Sequence, residues 1–276
     1  MGQKPRFTII CPIHCWNQYR IDGIKRATES VERQTFKDFE FIVVNDGSTV
    51  EFTLPKWVKV INKDHAERVV AYNAGLKKAK GEIITFIDSD DEYEPYYLER
   101  VDGYFRRWPD YKMFNFGARY IHPDNTEAFR GAFKPKKKKV GHEVFGGGQI
   151  VNGTFVFHRS VYDDLGAFPP EWVRNVDCKS INYPSNYGHP DEKPQYIRDL
   201  FAGTPYDFSA MAQLEFPEMR KYFMVDHENE PRWKVVKELG NPWGNDYYLF
   251  YKYTRKYHSK PIDDHNYIVH SKIGVI

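Results

Sequence analysis

The chain is short of cysteine, of net charge and of long apolar runs, and each shortage removes a class of protein. Three cysteines among 276 residues, Cys11, Cys15 and Cys178, make neither an even disulfide framework nor a metal-ligand spacing, which points to a reduced, cytoplasmic compartment. A net charge of +2, from 40 basic and 38 acidic residues, is too balanced to announce a nucleic-acid binder. No apolar stretch approaches the roughly 18 to 20 residues of a membrane span. The opening MGQKPR passes directly into a strand-like run, so no secretory leader is expected. Internal repeats are lacking as well, and KPKKKK at 134–139 is the one low-complexity patch. Aromatic residues are abundant instead, at 17% with 20 Tyr and 20 Phe; tyrosine can line a polar cleft while still packing.

The first 120 residues alternate between two periods. FTIIC (7–11), FEFIVVN (39–45), VKVIN (58–62) and EIITFID (82–88) read as buried strands. Between them, 21–34 carries Ile21, Ile24, Ala27 and Val31 at helical spacing, and 66–80 is a helix closed by Gly81. A further helix opens near Pro95. Apolar strands alternating with amphipathic helices predict an α/β fold with a mostly parallel sheet covered on both faces. Ligands of such sheets collect at the carboxyl ends of the strands, and three strands here end in CPIHCWN, NDGST and DSDDE. Later, 111–122 and 149–160 read as strands, and 245–257 returns to a helical pattern with Asp246 at its start. The segment 173–243 is rich in Pro, Tyr and Asn with little periodicity. It reads as an elaboration within one domain over 1–276, whose parts are 1–122 and 123–276.

FIDSDDEYEP (86–95) places Asp88, Asp90 and Asp91 within four positions. Like charges so close raise one another's pKa unless a cation or a set of donors compensates. A helix N-cap accounts for one or two acids, but not for Asp88, which the pattern leaves in the strand. A site for Mg²⁺ or Mn²⁺ accounts for all three, because these ions take hard oxygen ligands, often one or two carboxylates together with substrate phosphates.

At this point the residues resemble a known family. TIICPIHCWN, then SVERQTFKDFEFIVVNDGST, then AYNAGLKKAKGEIITFIDSDDEYEP is similar to the family 2 glycosyltransferases of the GT-A fold, and the similarity resumes at VNGTFVFHRSVYDDLGAF (151–168) and GNDYYLFYKY (244–253). The resemblance implies an inverting, metal-dependent transfer of a sugar from a nucleotide donor, UDP-linked by preference, to a hydroxyl of a glycan or glycoconjugate. It implies that Pro12, His14 and Asp46 hold the base and ribose, with Arg68 as a basic contact. It makes Asp88 and Asp90 the D-x-D pair, with Asp90 or Asp91 on Mn²⁺ or Mg²⁺ and His270 as a late metal or diphosphate contact, a role for which His265 competes. Asp246 matches the family's base, although Asn245 stands where the family has Glu; Asp263 and Asp264 are the fallbacks. Lys136–Lys139 fit a solvated loop, or peripheral contact with an anionic surface. A nucleotidyltransferase lacks support because no Gly-rich loop with Arg and Lys follows the first strand. A non-catalytic sugar-nucleotide binding module stays open because of Asn245.

Overall fold

The computed structural model describes residues 4–65, 68–132, 152–167, 253 and 256–270, with Arg68, Val69 and Asn152 as backbone only. The chain runs β1 (Phe7–Ile13), α1 (Gln18–Glu32), β2 (Phe39–Asp46), β3 (Lys59–Lys63), α2 (Arg68–Lys78), β4 (Ile83–Phe86), β5 (Glu92–Tyr93) and α3 (Tyr97–Arg107). It continues through β6 (Met113–Phe116), β7 (Ala118–Ile121), β8 (Glu127–Arg130), a 3₁₀ turn at Asn152–Thr154, β9 (Phe155–His158), α4 (Arg159–Leu165), β10 (Ser259–Ile262) and β11 (Tyr267–His270).

Two sheets result. The larger has the order β10-β6-β9-β4-β1-β2-β3 and the smaller β5-β11-β7-β8. In the larger sheet every neighbouring pair is parallel except those of β9, which runs antiparallel to both β4 and β6. The mostly parallel α/β sheet expected from the sequence is therefore present. The single strand expected at 111–122 is not. It breaks at Gly117 into β6, buried throughout in the large sheet, and β7, half-buried in the small one. Asp88 also lies outside the strand expected to hold it, since β4 ends at Phe86, although the Ile87 amide still donates to the Ile10 carbonyl (3.0 Å).

Both faces of the large sheet are covered, as continuous apolar strands require. Ile10, Ile42, Val44, Ile84 and Phe86 pack with Ala71, Tyr72 and Leu76 of α2. On the opposite face Phe7, Ile9, Cys11, Phe41 and Val43 meet Ile24, Ala27 and Val31 of α1 and Leu98, Val101 and Phe105 of α3. Each such side chain contributes about 1.5 to 3 kcal/mol on burial. The helix α1 begins at Asn17, whose side-chain oxygen accepts from the Arg20 amide (3.0 Å), satisfying one of the amides a helix start leaves open.

Pro12 sits within β1, where a missing amide normally costs a ladder bond. It costs none here. Ile10 faces β4, Pro12 two residues on faces the same way, and the pairing with β4 has already ended at Ile10–Phe86. The gap between β1 and β4 thus opens at their carboxyl ends, where ligands of α/β folds bind.

Two predictions test this framework. Gly103 is exposed in the middle of α3, and a Cβ there would meet nothing within 4 Å. Gly103→Ala should raise unfolding stability by about 0.5 to 1 kcal/mol in urea titrations, and a loss would contradict the helix. The second concerns Glu40, 7% exposed, whose carboxylate accepts from the Thr8 hydroxyl (2.6 Å), the Lys80 amide (2.5 Å) and the Lys59 ammonium (2.6 Å). Burial pushes this carboxyl up, but those bonds and the Lys59 charge outweigh it and hold the pKa below the ordinary value. Its stabilisation is therefore present above the unfolded pKa of about 4.3 and is lost as pH falls through the lower folded value. Glu40→Gln should be less stable at neutral pH and should lose less stability on acidification than the unaltered chain. Parallel pH profiles for the two would refute the assignment.

Candidate active site

The acidic stretch folds as one tight turn at the carboxyl end of β4. The Asp91 amide donates to the Asp88 carbonyl (3.1 Å), with Ser89 and Asp90 at the corner. Asp88 and Asp90 are half-buried, whereas Asp91 is 4% exposed. Compensation for the crowded charge comes from three directions. The Tyr72 hydroxyl donates to Asp88 (3.3 Å) from α2. From α1, Arg20 pairs with the Asp90 carboxylate (3.1 Å) and Arg26 donates to the Asp90 carbonyl (2.8 Å). From β11, the Tyr267 hydroxyl donates to Asp91 Oδ2 (2.8 Å) and the His270 amide to Oδ1 (3.3 Å). Burial and the charges of Asp90 and Asp88 still hold the Asp91 carboxyl well above the ordinary carboxylate range, against the pull of those two bonds. Protein donors therefore carry part of the load that the sequence reading gave to a cation and its bound ligand.

The loops after β1 and β2 close the other side. Gly47 takes φ +65° and passes so near His65 that a Cβ would lie 2.5 Å from its amide nitrogen, so both backbone and space demand glycine. The next residue, Ser48, receives the Cys15 amide on its hydroxyl (2.8 Å). His14 and His65 stack at 4.1 Å and 29°, and a ring nitrogen of each lies about 3 Å from the Asp46 carbonyl oxygen (2.9 and 3.0 Å). Trp16 flanks His14 at 5.4 Å and carries the Arg20 guanidinium over its ring at 4.4 Å, a cation–π contact. The Asp46 carboxylate is buried and turned toward Lys63, with which it pairs, and His65 (3.2 Å). It thus faces protein partners where the sequence reading gave it a bound base.

His14, Asp46, Asp88, Asp90 and Asp91 thus lie at the ends of β1, β2 and β4, and Pro12 is the penultimate residue of β1. Arg68 opens α2, but its side chain lies outside the described residues, as do Asp246, Lys136–Lys139 and the segment 173–243. His270 reaches the acidic turn through its amide, while its ring nitrogen pairs with Glu92 (2.6 Å). Asp264 is buried and engaged by Tyr104 (2.6 Å), Arg100 (3.2 Å) and Asn266. Asp263 accepts from the Ala132 amide (3.0 Å). His265 packs against Phe129 (5.4 Å). Residues that sequence reading did not single out, among them Trp16, Arg20, Arg26, Lys63, His65, Tyr72 and Tyr267, contact the predicted ones. Lys63 and His65 end the third parallel strand, and the strand-end rule that selected the other loops would have found them. Tyr267 carries no such signal.

Among the described residues, no three His, Cys, Asp or Glu side chains form a group that could hold a metal ion by themselves. The donor set suits a hard cation bound by one or two carboxylates and completed by ligand phosphates. Asp90 fits that part better than Asp91, whose two oxygens already accept hydrogen bonds. No helix among the described residues is long and apolar enough to cross a membrane.

The family model described as glycosyl transferase family 2 matches residues 12–166, more than half of the chain, and the chain belongs to that family. It is 35% identical over 197 residues to the uncharacterized glycosyltransferase YwdF of Bacillus subtilis, covering 59% of this chain and 70% of that one. It is 29% identical over 145 residues to an uncharacterized glycosyltransferase of Rickettsia bellii, covering 48% of this chain and 20% of that one. It is 33% identical over 104 residues to glycosyltransferase GlyA of Streptococcus pneumoniae, covering 35% of this chain and 14% of that one. The chain therefore spans less than a third of the length of these last two relatives. A crystal structure of S. aureus TarS 1–349 in complex with UDP aligns over 62% of this chain and 52% of that one, at 20% identity and a TM-score of 0.45.

Proposed function

We propose that the chain is an inverting glycosyltransferase that uses a nucleotide sugar, UDP-linked by preference, and Mn²⁺ or Mg²⁺ to glycosylate a hydroxyl of a glycan or glycoconjugate. The observation that carries this reading is the turn Asp88–Asp91, set at the carboxyl end of β4 beside the loops that follow β1 and β2. Family membership supports it. In this reading the base packs against the aromatic group of His14, His65 and Trp16, and Asp46 holds Lys63 and His65 in place around it. Arg68, at the start of α2, supplies a basic contact. Asp88 faces the ribose and Asp90 holds the cation, with His270 behind the turn. The bound cation supplies Lewis-acid assistance to the leaving diphosphate, worth several kcal/mol.

The transfer is a single in-line displacement. The acceptor oxygen forms a bond to the anomeric carbon as the bond from that carbon to the diphosphate oxygen breaks, and the electron pair leaves with the diphosphate. The acceptor proton passes to Asp246, the late acid with the family's sequence context. Asp263 and Asp264 are poorer bases, because each already accepts hydrogen bonds from the protein. Arg20 bears on the cation as well, since its guanidinium pairs with the same carboxylate.

Two experiments test this reading. Calorimetry with UDP should show binding ~10-fold or more tighter in Mn²⁺ than in EDTA, and Asp90→Asn should remove most of that difference; equal affinity in the two buffers would overturn the metal role. For the base, Asp246→Asn should cost ~10² to 10⁴ in kcat while UDP affinity stays within a few fold. Asn caps a helix as well as Asp does, so transfer at the unaltered rate would leave Asp246 as a cap.

A further inference from the structure

We propose that Tyr267 is a positioning residue, whose hydroxyl ties the two ends of the acidic turn and holds Asp88 and Asp90 in the arrangement that binds the metal–diphosphate group. The inference rests on the nucleotide-sugar reading of that turn and adds a residue to it from the far end of the chain. A phenol hydroxyl has one hydrogen to donate and lone pairs to accept with, and Tyr267 uses both. It donates to Asp91 Oδ2 (2.8 Å) and accepts from the Asp88 amide (3.1 Å). Those two residues are also the ends of the turn closed by the Asp91 amide and the Asp88 carbonyl (3.1 Å). The turn is therefore fastened twice, once by its own backbone and once by a side chain 179 residues on from Asp88.

The hydroxyl is held in place by the packing of its ring. Tyr267 is fully buried and meets Tyr93 edge-on at 5.7 Å. Gly153 lies against its other part so closely that a Cβ there would sit 1.8 Å from a ring carbon. The strand that carries Tyr267 is pinned on both sides, antiparallel to β5 through Tyr267–Tyr93 and parallel to β7 through Ile268–Arg119. From the same strand the His270 amide takes the second oxygen of Asp91 (3.3 Å). With both of its oxygens committed, Asp91 serves as the anchor of the turn, and the half-buried Asp88 and Asp90 are left as its working carboxylates. Packing alone does not call for the hydroxyl, since a phenylalanine ring would fill the same space.

The test compares Tyr267→Phe with the unaltered chain by UDP calorimetry in Mn²⁺ and in EDTA, with thermal unfolding and amide hydrogen exchange alongside. Partners that orient a metal's ligands typically cost ~10 to 100-fold in metal affinity when removed. Tyr267→Phe should weaken UDP binding in Mn²⁺ by at least ~10-fold, raise the Mn²⁺ concentration for half-maximal binding to match, and leave binding in EDTA unchanged. A lower melting temperature with unchanged Mn²⁺ dependence would make Tyr267 a packing residue and overturn the proposal. Should the variant not fold, the unaltered protein decides: its Asp88 amide should exchange as slowly as those of β4 without metal or nucleotide, and rapid exchange would overturn the tie. Equal UDP affinity of the unaltered chain in Mn²⁺ and in EDTA would instead remove the metal role, and this inference with it, whereas no UDP binding in either buffer would remove the nucleotide-sugar reading itself.

Discussion

Three carboxylates within four residues cannot end a buried strand unless each finds a donor or a cation, and much of this architecture follows from that requirement. Tyr72 from α2, Arg20 and Arg26 from α1, and Tyr267 and the His270 amide from β11 converge on the turn from separate elements. The compensation is uneven. Asp91, closed in by β11, is held above the ordinary carboxylate range, while Asp90 meets a guanidinium at a half-buried position. Unequal environments distinguish chemically identical side chains: the best-enclosed carboxylate fixes the backbone of the turn, while Asp88 and Asp90 stay half-buried at its surface.

Glu92 extends the same logic one strand further. It pairs with His270 (2.6 Å) and Arg33 (3.1 Å), with Arg26 at 3.5 Å. Burial raises this carboxyl, but its partners outweigh burial and hold it below the ordinary value. The helix α1 and the residue that caps its end thus present three arginines, Arg20, Arg26 and Arg33, along the acidic segment 90–92. The helix covers a sheet face and is also the electrostatic counterweight of the acidic turn.

The sequence made the large sheet legible because its signals are local. Near-continuous apolar runs such as FEFIVVN and helical spacing such as Ile24, Ala27 and Val31 depend only on neighbours along the chain, and they place β1 to β4 and the first two helices within a few residues. The carboxyl-end rule then picks out His14, Asp46 and Asp88 without any coordinates, and it should have extended to Lys63 and His65 at the end of β3. Pairings that depend on tertiary return were not legible. The antiparallel course of β9, the division of 111–122 at Gly117 between two sheets, and the arrival of Tyr267 beneath Asp88 are set by contacts across long stretches of chain. No periodicity encodes which distant strand fills a vacant edge. The Asp46 contacts show the same limit: its position after β2 was readable, but the turn of its carboxylate toward Lys63 and His65 required β3 to be in place.

These long-range pairings bear on how the chain divides. A boundary near residue 122 looks natural in sequence, since the alternating pattern fades there. In the fold, β9 fills the space between β4 and β6, β10 extends β6, and β11 sits between β5 and β7. A chain ending before residue 150 would leave the edges of β4 and β6 without partners and the buried faces of Phe86 and Met113 without Phe155 and Phe157. It would also strip Asp91 of both donors that fix it. The acids of the turn are carried by the first half and fastened by the second, so the geometry of the turn can be no more stable than the docking of β11.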